Sequence, residues 1–198
     1  MNKKLPKEAY GGIHGKKYVP YISNNSNKGA NLSVIIIGIV LSAIFAASTA
    51  YSGMKSGLTV AAGIPGAIIG SMLIGIFAQG KGILGKNITQ GMSSGGESIA
   101  SGMIYVLPAI ILIGNKFTFI EGLIVGVGGV LFGIGSLSLV YNYLIVEEHG
   151  NLLYPESLAI SETLVASEGN GDAIKYMGIG FGISGIINLL TGSFLNII

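Results

Sequence analysis

The chain has 198 residues, half of them hydrophobic and a tenth charged, with a formal net charge of +2 and a mean hydropathy of +0.69, a balance outside the soluble globular range. It holds no cysteine, which excludes disulfides, thiolate metal sites, iron–sulfur clusters and cysteine nucleophiles built from this chain. Glycine, at 33 residues, is more than twice its usual share of roughly 7%, as expected of an all-α integral membrane protein whose helices approach closely through small residues.

The chain divides into a basic tail over 1–31 and a membrane domain over 32–198. Lys3, Lys4, Lys7, Lys16, Lys17 and Lys28 all precede the first apolar run. A nucleic-acid arm has similar chemistry, but a basic tail directly before a span reads more simply as a topology signal, with the tail cytoplasmic and no nucleic acid bound. The apolar run begins too late and is too long for a cleaved signal peptide.

Five apolar segments follow, and each is expected to cross the membrane. The first, over 32–51, reads "LSVIIIGIVLSAIFAASTAY", close to the twenty or so residues that a crossing needs. The second, over 58–78, holds Pro65 near its middle, which predicts a kink. The third lies within "NITQGMSSGGESIASGMIYVLPAIILIG" over 87–114, the fourth over 119–145, and the fifth from 174 to the end. Between the fourth and fifth, Pro155 and Glu156 read as the first turn of a helix, and Gly169, Asn170 and Gly171 as its end. At about fourteen residues it is too short to span, so it is amphipathic at the interface, cytoplasmic or re-entrant. With the tail inside, Lys81, Lys86 and Lys175 fall on the same side, and Lys55 and Lys116 on the other, the bias expected of a multi-pass protein.

The third segment carries the candidate chemistry. As a helix it sets Gln90, Ser94, Glu97, Ser101 and Tyr105 at steps of three or four, on one face. A carboxylate deep in lipid costs at least about 2.5 kcal/mol, so such a residue lines an ion or substrate pathway or finds a partner. Two other readings stay open: Glu97 lies near the surface with the span starting at Ile99, or it is protonated and satisfied by Ser93 or Ser101. Gly95, Gly96 and Pro108 predict a broken or kinked helix, the form that lays irregular backbone beside a transport site.

Soluble-enzyme motifs fail on context. "GMSSG" over 91–95 matches a serine nucleophile elbow, but His14 and His149 stand in a tail and a polar loop. Gly180, Gly182 and Gly185 match a dinucleotide fingerprint inside an apolar helix with no strand before it. His149 with Glu147, Glu148 and Glu156 follows no dedicated metal pattern. No catalytic residue, metal or cofactor is expected.

Four stretches in register carry a resemblance: "YVPYI" over 18–22, "YSGMKSGLTVAAGIPGAIIGSML" over 51–73, "NITQGMSSGGESIASGMIYVLPA" over 87–109, and "YLIVEEHGNLLYPESLAISETLVASEG" over 143–169. Together they resemble the N-terminal part of the oligopeptide transporter superfamily, in its prokaryotic branch related to yellow-stripe-like metal-chelate carriers. The resemblance implies a proton-coupled secondary transporter that moves small peptides or metal-chelator complexes across the plasma membrane. It adds the turn at Tyr154, Pro155 and Glu156, and the acidic position Glu162, to Glu97, Ser94 and Ser101 as substrate or proton groups. Leu153 stands where the family's first proline is usual, and Ser157 where its glycine is usual. Family members are several times longer, so the expected partners are the lipid bilayer, the substrate, a coupling proton and the remainder of the transporter, in cis or in trans. The alternative is a truncated, non-transporting subunit that packs with partner helices.

Overall fold

The computed structural model of the chain describes residues 5–10, 22, 29–59, 61–78, 82–114, 118–168 and 172–194. The tail stretch 18–21, Lys81, Lys116 and the turn at 169–171 lie outside the described residues. The architecture is all-helical, with α1 at Leu32–Ser56, α2 at Gly63–Phe77, α3 at Gly82–Leu112, α4 at Phe119–Tyr141, α5 at Pro155–Ala166 and α6 at Asp172–Phe194. A π-helical stretch, Asn142–Glu147, continues α4, and a short 3-10 turn, Lys7–Tyr10, precedes α1. Among the described residues three helices are long and apolar enough to cross a membrane: α1, α3 and α4 with its π-helical continuation.

Local chemistry sets the helix ends. The Asn31 side chain accepts from the Leu32 amide at 2.8 Å. Gly57 ends α1 at φ +70°, a left-handed conformation that glycine adopts without steric cost. Thr118 and Glu121 form a reciprocal cap at the start of α4, with the Thr118 amide donating to the Glu121 carboxylate at 2.8 Å. Pro155 is the first residue of α5, where its missing amide proton costs nothing.

The order of contacts along the helices fixes their directions. On α1, Gly38 meets Met92, Ser42 meets Gly96, and Gly53 meets Ile104. Both series ascend together, so α1 and α3 run parallel. On α2, Gly66 meets Ser93 and Gly70 meets Thr89, so α2 runs antiparallel to α3. Two parallel neighbours require the chain to return between them.

The return is not the uninterrupted, Pro65-kinked helix that hydropathy predicts. Residues 57–59 and 61–62 are non-helical, and α2 holds 15 residues, about 22 Å at 1.5 Å per residue against a hydrocarbon core of roughly 30 Å. Pro65 is the third residue of α2, in the first turn, where backbone amides lack helical partners. It starts the helix and does not kink it.

Of the broken or kinked helix expected in the third segment, the break is absent. α3 runs unbroken through Gly95, Gly96 and Pro108. A glycine costs a helix only about 1 kcal/mol, and Pro108 removes one backbone donor from a 31-residue element. Gly96 answers to packing instead, since a Cβ there would stand 2.9 Å from the Ser42 carbonyl carbon of α1. The same close fit recurs where Gly63 faces Ile160 of α5 and Gly178 of α6 faces Met72 of α2. Val34, Ile74 and Ala78 form a buried apolar cluster between α1 and α2, flanked by Ile37 and Ile88. By contrast, Leu131, Phe132 and Leu139 stand exposed on α4.

Candidate functional site

The buried face of α3 is polar. Lys86, Thr89, Gln90, Ser93 and Glu97 are each at least nine-tenths buried, and Lys86, Gln90, Ser93 and Glu97 follow one another at steps of four, three and four along one helix face. Glycines create the enclosure. Gly66 lets α2 lie against Ser93, Gly70 lets it lie against Thr89, and Gly96 brings α1 onto α3 beside Glu97.

Glu97 is the sixteenth residue of the 31 in α3, so about 22 Å of helix lies on its N-terminal side. The helix itself therefore does not begin near Ile99, and Glu97 stands at its middle. The Ser101 hydroxyl donates to the Glu97 carboxylate at 2.7 Å. Ser93 instead donates to its own helix, to the Gln90 carbonyl at 2.7 Å. Among the described residues Glu97 has no cationic partner, since the ion pair there joins Lys86 to Glu168.

The start of α2 comes to this same depth. Gly63 lies about one helical turn beyond Gly66, and Gly66 abuts Ser93, so α2 begins beside the turn from Ser93 to Glu97. The non-helical lead-in stands next to the C-terminal half of α3, where Thr59 Oγ1 and the Tyr105 hydroxyl are 3.0 Å apart. Residues 57–59 and 61–62 are therefore irregular backbone beside α3, between the level of Tyr105 and that of Gly96 about 13 Å away, and the helix follows. From the other side Glu156 of α5 reaches Gly63, its Oε1 3.3 Å from where a Cβ would stand.

The predicted residues thus separate into two groups. Glu97, Ser101 and Gln90 fall together on α3, with Ser94 half-buried beside them and Tyr105 exposed. Tyr154, Glu156 and Glu162 belong to α5 and its leading turn, and all three are exposed. The Tyr154 hydroxyl donates to the Leu144 carbonyl at 3.2 Å. Glu162 accepts from Tyr10 at 2.7 Å, and this bond to the carboxylate raises the Tyr10 phenol above its ordinary pKa. Glu156 approaches the start of α2, and Glu162 faces the tail.

Sequence reasoning missed Thr89 and the partners of Lys86, took Lys86 only as a topology signal, and named Ser93 as a partner for Glu97. The Lys86 ammonium donates to the Ser167 carbonyl at 3.0 Å and hydroxyl at 3.1 Å, and pairs with Glu168 at 2.7 Å. The signal was present: stepping back four residues from Gln90 reaches Lys86, and the step to Glu97 passes through Ser93 as regularly as through Ser94.

A family model described as OPT oligopeptide transporter protein matches residues 30–197. The chain belongs to the oligopeptide transporter family. A Haemophilus influenzae protein whose name assigns it to the oligopeptide transporters is 31% identical over 145 residues, which is 71% of this chain and 22% of that relative. The chain thus corresponds to about a fifth of the length of the relative it matches. No solved structure matches significantly. Membership fits the long apolar helices, which are those of a multi-pass membrane protein. The glycine contacts are close packing of apolar helices, and the buried polar face of α3 is the feature that such packing alone does not demand.

Proposed function

We propose that the chain is the N-terminal part of a proton-coupled secondary transporter for small peptides or metal-chelator complexes, with Glu97 in its pathway. The observation that carries the reading is the coincidence of a buried carboxylate with an interrupted crossing. α2 starts next to Glu97, after a non-helical lead-in. Irregular backbone at membrane depth is tolerated where protein buries it or where it lines a water-filled cavity, and half-helices meeting near the midplane are how transporters build sites. Glu97 is suited to take up and release a proton, Ser101 and Ser94 to bond either form of it, and Glu156 to meet the substrate or the proton at the start of α2. Glu162 and Tyr154 hold the α5 side of the path. The parallel course of α1 and α3 supports a cytoplasmic tail, because it leaves the starts of both helices, with Lys86, on the tail side.

The test is uptake by cells that produce the chain together with the remainder of the transporter. Glu97→Gln should abolish proton-driven uptake at unchanged expression, and unchanged pH-dependent uptake would refute the role. Cells producing this chain alone should take up nothing. Uptake by the chain alone would show that the remainder is not needed.

A further inference from the structure

Lys86 is buried and lies outside the pathway proposed above. Its side chain is 9% exposed and that of Glu168 21%. An ammonium withdrawn from water needs acceptors for its protons. Lys86 finds three, and all stand at the C-terminal end of α5: the Ser167 carbonyl, the Ser167 hydroxyl and the Glu168 carboxylate. Carbonyls at a helix C-terminus lack partners within the helix, and the helix dipole favours a cation there. α3 therefore grips α5 by one end.

The rest of α5 is held differently. Ile160 rests on Gly63 of α2, Glu162 accepts one exposed bond from the tail, and at the other end the exposed Tyr154 hydroxyl donates to the Leu144 carbonyl at 3.2 Å while Glu156 is exposed. The charged anchor and the pathway end thus lie at opposite ends of a 12-residue helix, about 18 Å long.

We infer that Lys86 is the positioning residue for α5: it fixes the C-terminal end of that helix to α3, while the Glu156 end, tied among the described residues only by the exposed Tyr154–Leu144 bond, moves on and off the start of α2. The consequence for transport rests on the functional reading above, whereas the anchoring does not. In the resting arrangement Glu156 lies against Gly63. Movement about the Lys86 anchor withdraws it and uncovers the first turn of α2 beside Glu97.

The absence of cysteine from the chain makes a direct test available. Val165 on α5 and Val34 on α1 are 2% and 0% exposed. The full chain, in lipid vesicles, is given a single thiol as Val165→Cys or as Val34→Cys and treated with a small maleimide. With Lys86 intact both thiols should react slowly. Lys86→Met should speed labelling at position 165 about tenfold or more, the factor that corresponds to ~1.4 kcal/mol, and leave position 34 unchanged. Glu168→Gln should give a smaller rise, and Lys86→Arg, which keeps the charge and the donors, should restore slow labelling. Three results would each overturn the assignment: no change at 165, equal rises at 165 and 34, or Lys86→Arg behaving as Lys86→Met. None depends on uptake, so the anchor can stand if the transport reading fails, and fall if it holds.

Discussion

Gly95 and Gly96 are neighbours in one helix, yet alanine should act on them in opposite directions. At Gly95 a Cβ meets nothing within 4 Å, so Gly95→Ala gains helix propensity alone, about 0.5–1 kcal/mol. At Gly96 the Cβ meets the Ser42 hydroxyl and stands 2.5 Å from the Ser42 carbonyl oxygen. The carbonyl is backbone and cannot rotate aside, so α1 must retreat by about 1 Å to restore van der Waals contact. Overpacking of this kind costs roughly 1–3 kcal/mol, and a backbone obstacle puts it near the upper end. Since both variants gain the same propensity, their difference isolates the packing cost at about 3 kcal/mol. At roughly 2–4 °C per kcal/mol for a chain of this size, that is a separation of about 6–12 °C in Tm. Thermal unfolding of the purified chain in detergent, followed by circular dichroism, measures it. Equal stability of the two variants would refute the argument that Gly96 exists for the approach of α1, as would a loss in Gly95→Ala matching that in Gly96→Ala.

The α2–α3 contact makes a similar claim in a form suited to a double-mutant cycle. Gly66→Ala sets a methyl against the Ser93 hydroxyl and should destabilise by about 1–2 kcal/mol, whereas in Gly66→Ala with Ser93→Ala the nearest Ser93 atom left is the Cβ, at 3.4 Å. A coupling near 1 kcal/mol in thermal unfolding is expected, and strict additivity would count against the contact. At the tail, the Tyr10 phenol donates to the exposed Glu162 carboxylate, which raises its pKa. A raised folded pKa means that this tie is fully present below the ordinary phenol value of about 10 and is lost as pH rises through the higher one. The difference between ultraviolet titrations of the native chain and Tyr10→Phe should show one phenol with a midpoint above the ordinary value. A midpoint at or below it would place Tyr10 away from Glu162.

Hydropathy and spacing determined much of this protein by themselves. Length and apolarity mark α1, α3 and α4 as crossings, because only a helix satisfies its own backbone in lipid and about twenty residues cover the core. Pro155 marks the start of α5 for an equally local reason. The 3.6-residue period also places Gln90, Glu97 and Ser101 on one face of α3 before any neighbour is known. What hydropathy cannot register is where an apolar run stops being helical: residues 58–59 and 61–62 belong to the same apolar run as the helix they lead into, and Pro65 suits a first turn as well as a kink. Nor do glycines declare their purpose, since Gly95 and Gly96 are identical in sequence terms and only the position of α1 tells them apart. The tertiary structure alone decided that α1 and α3 run parallel, that α2 therefore returns as a broken crossing which starts beside Glu97, and that Lys86 turns inward to Glu168 instead of outward to water. Each is a relation between residues far apart in the chain, fixed by how closely whole helices can approach, and no local pattern encodes it.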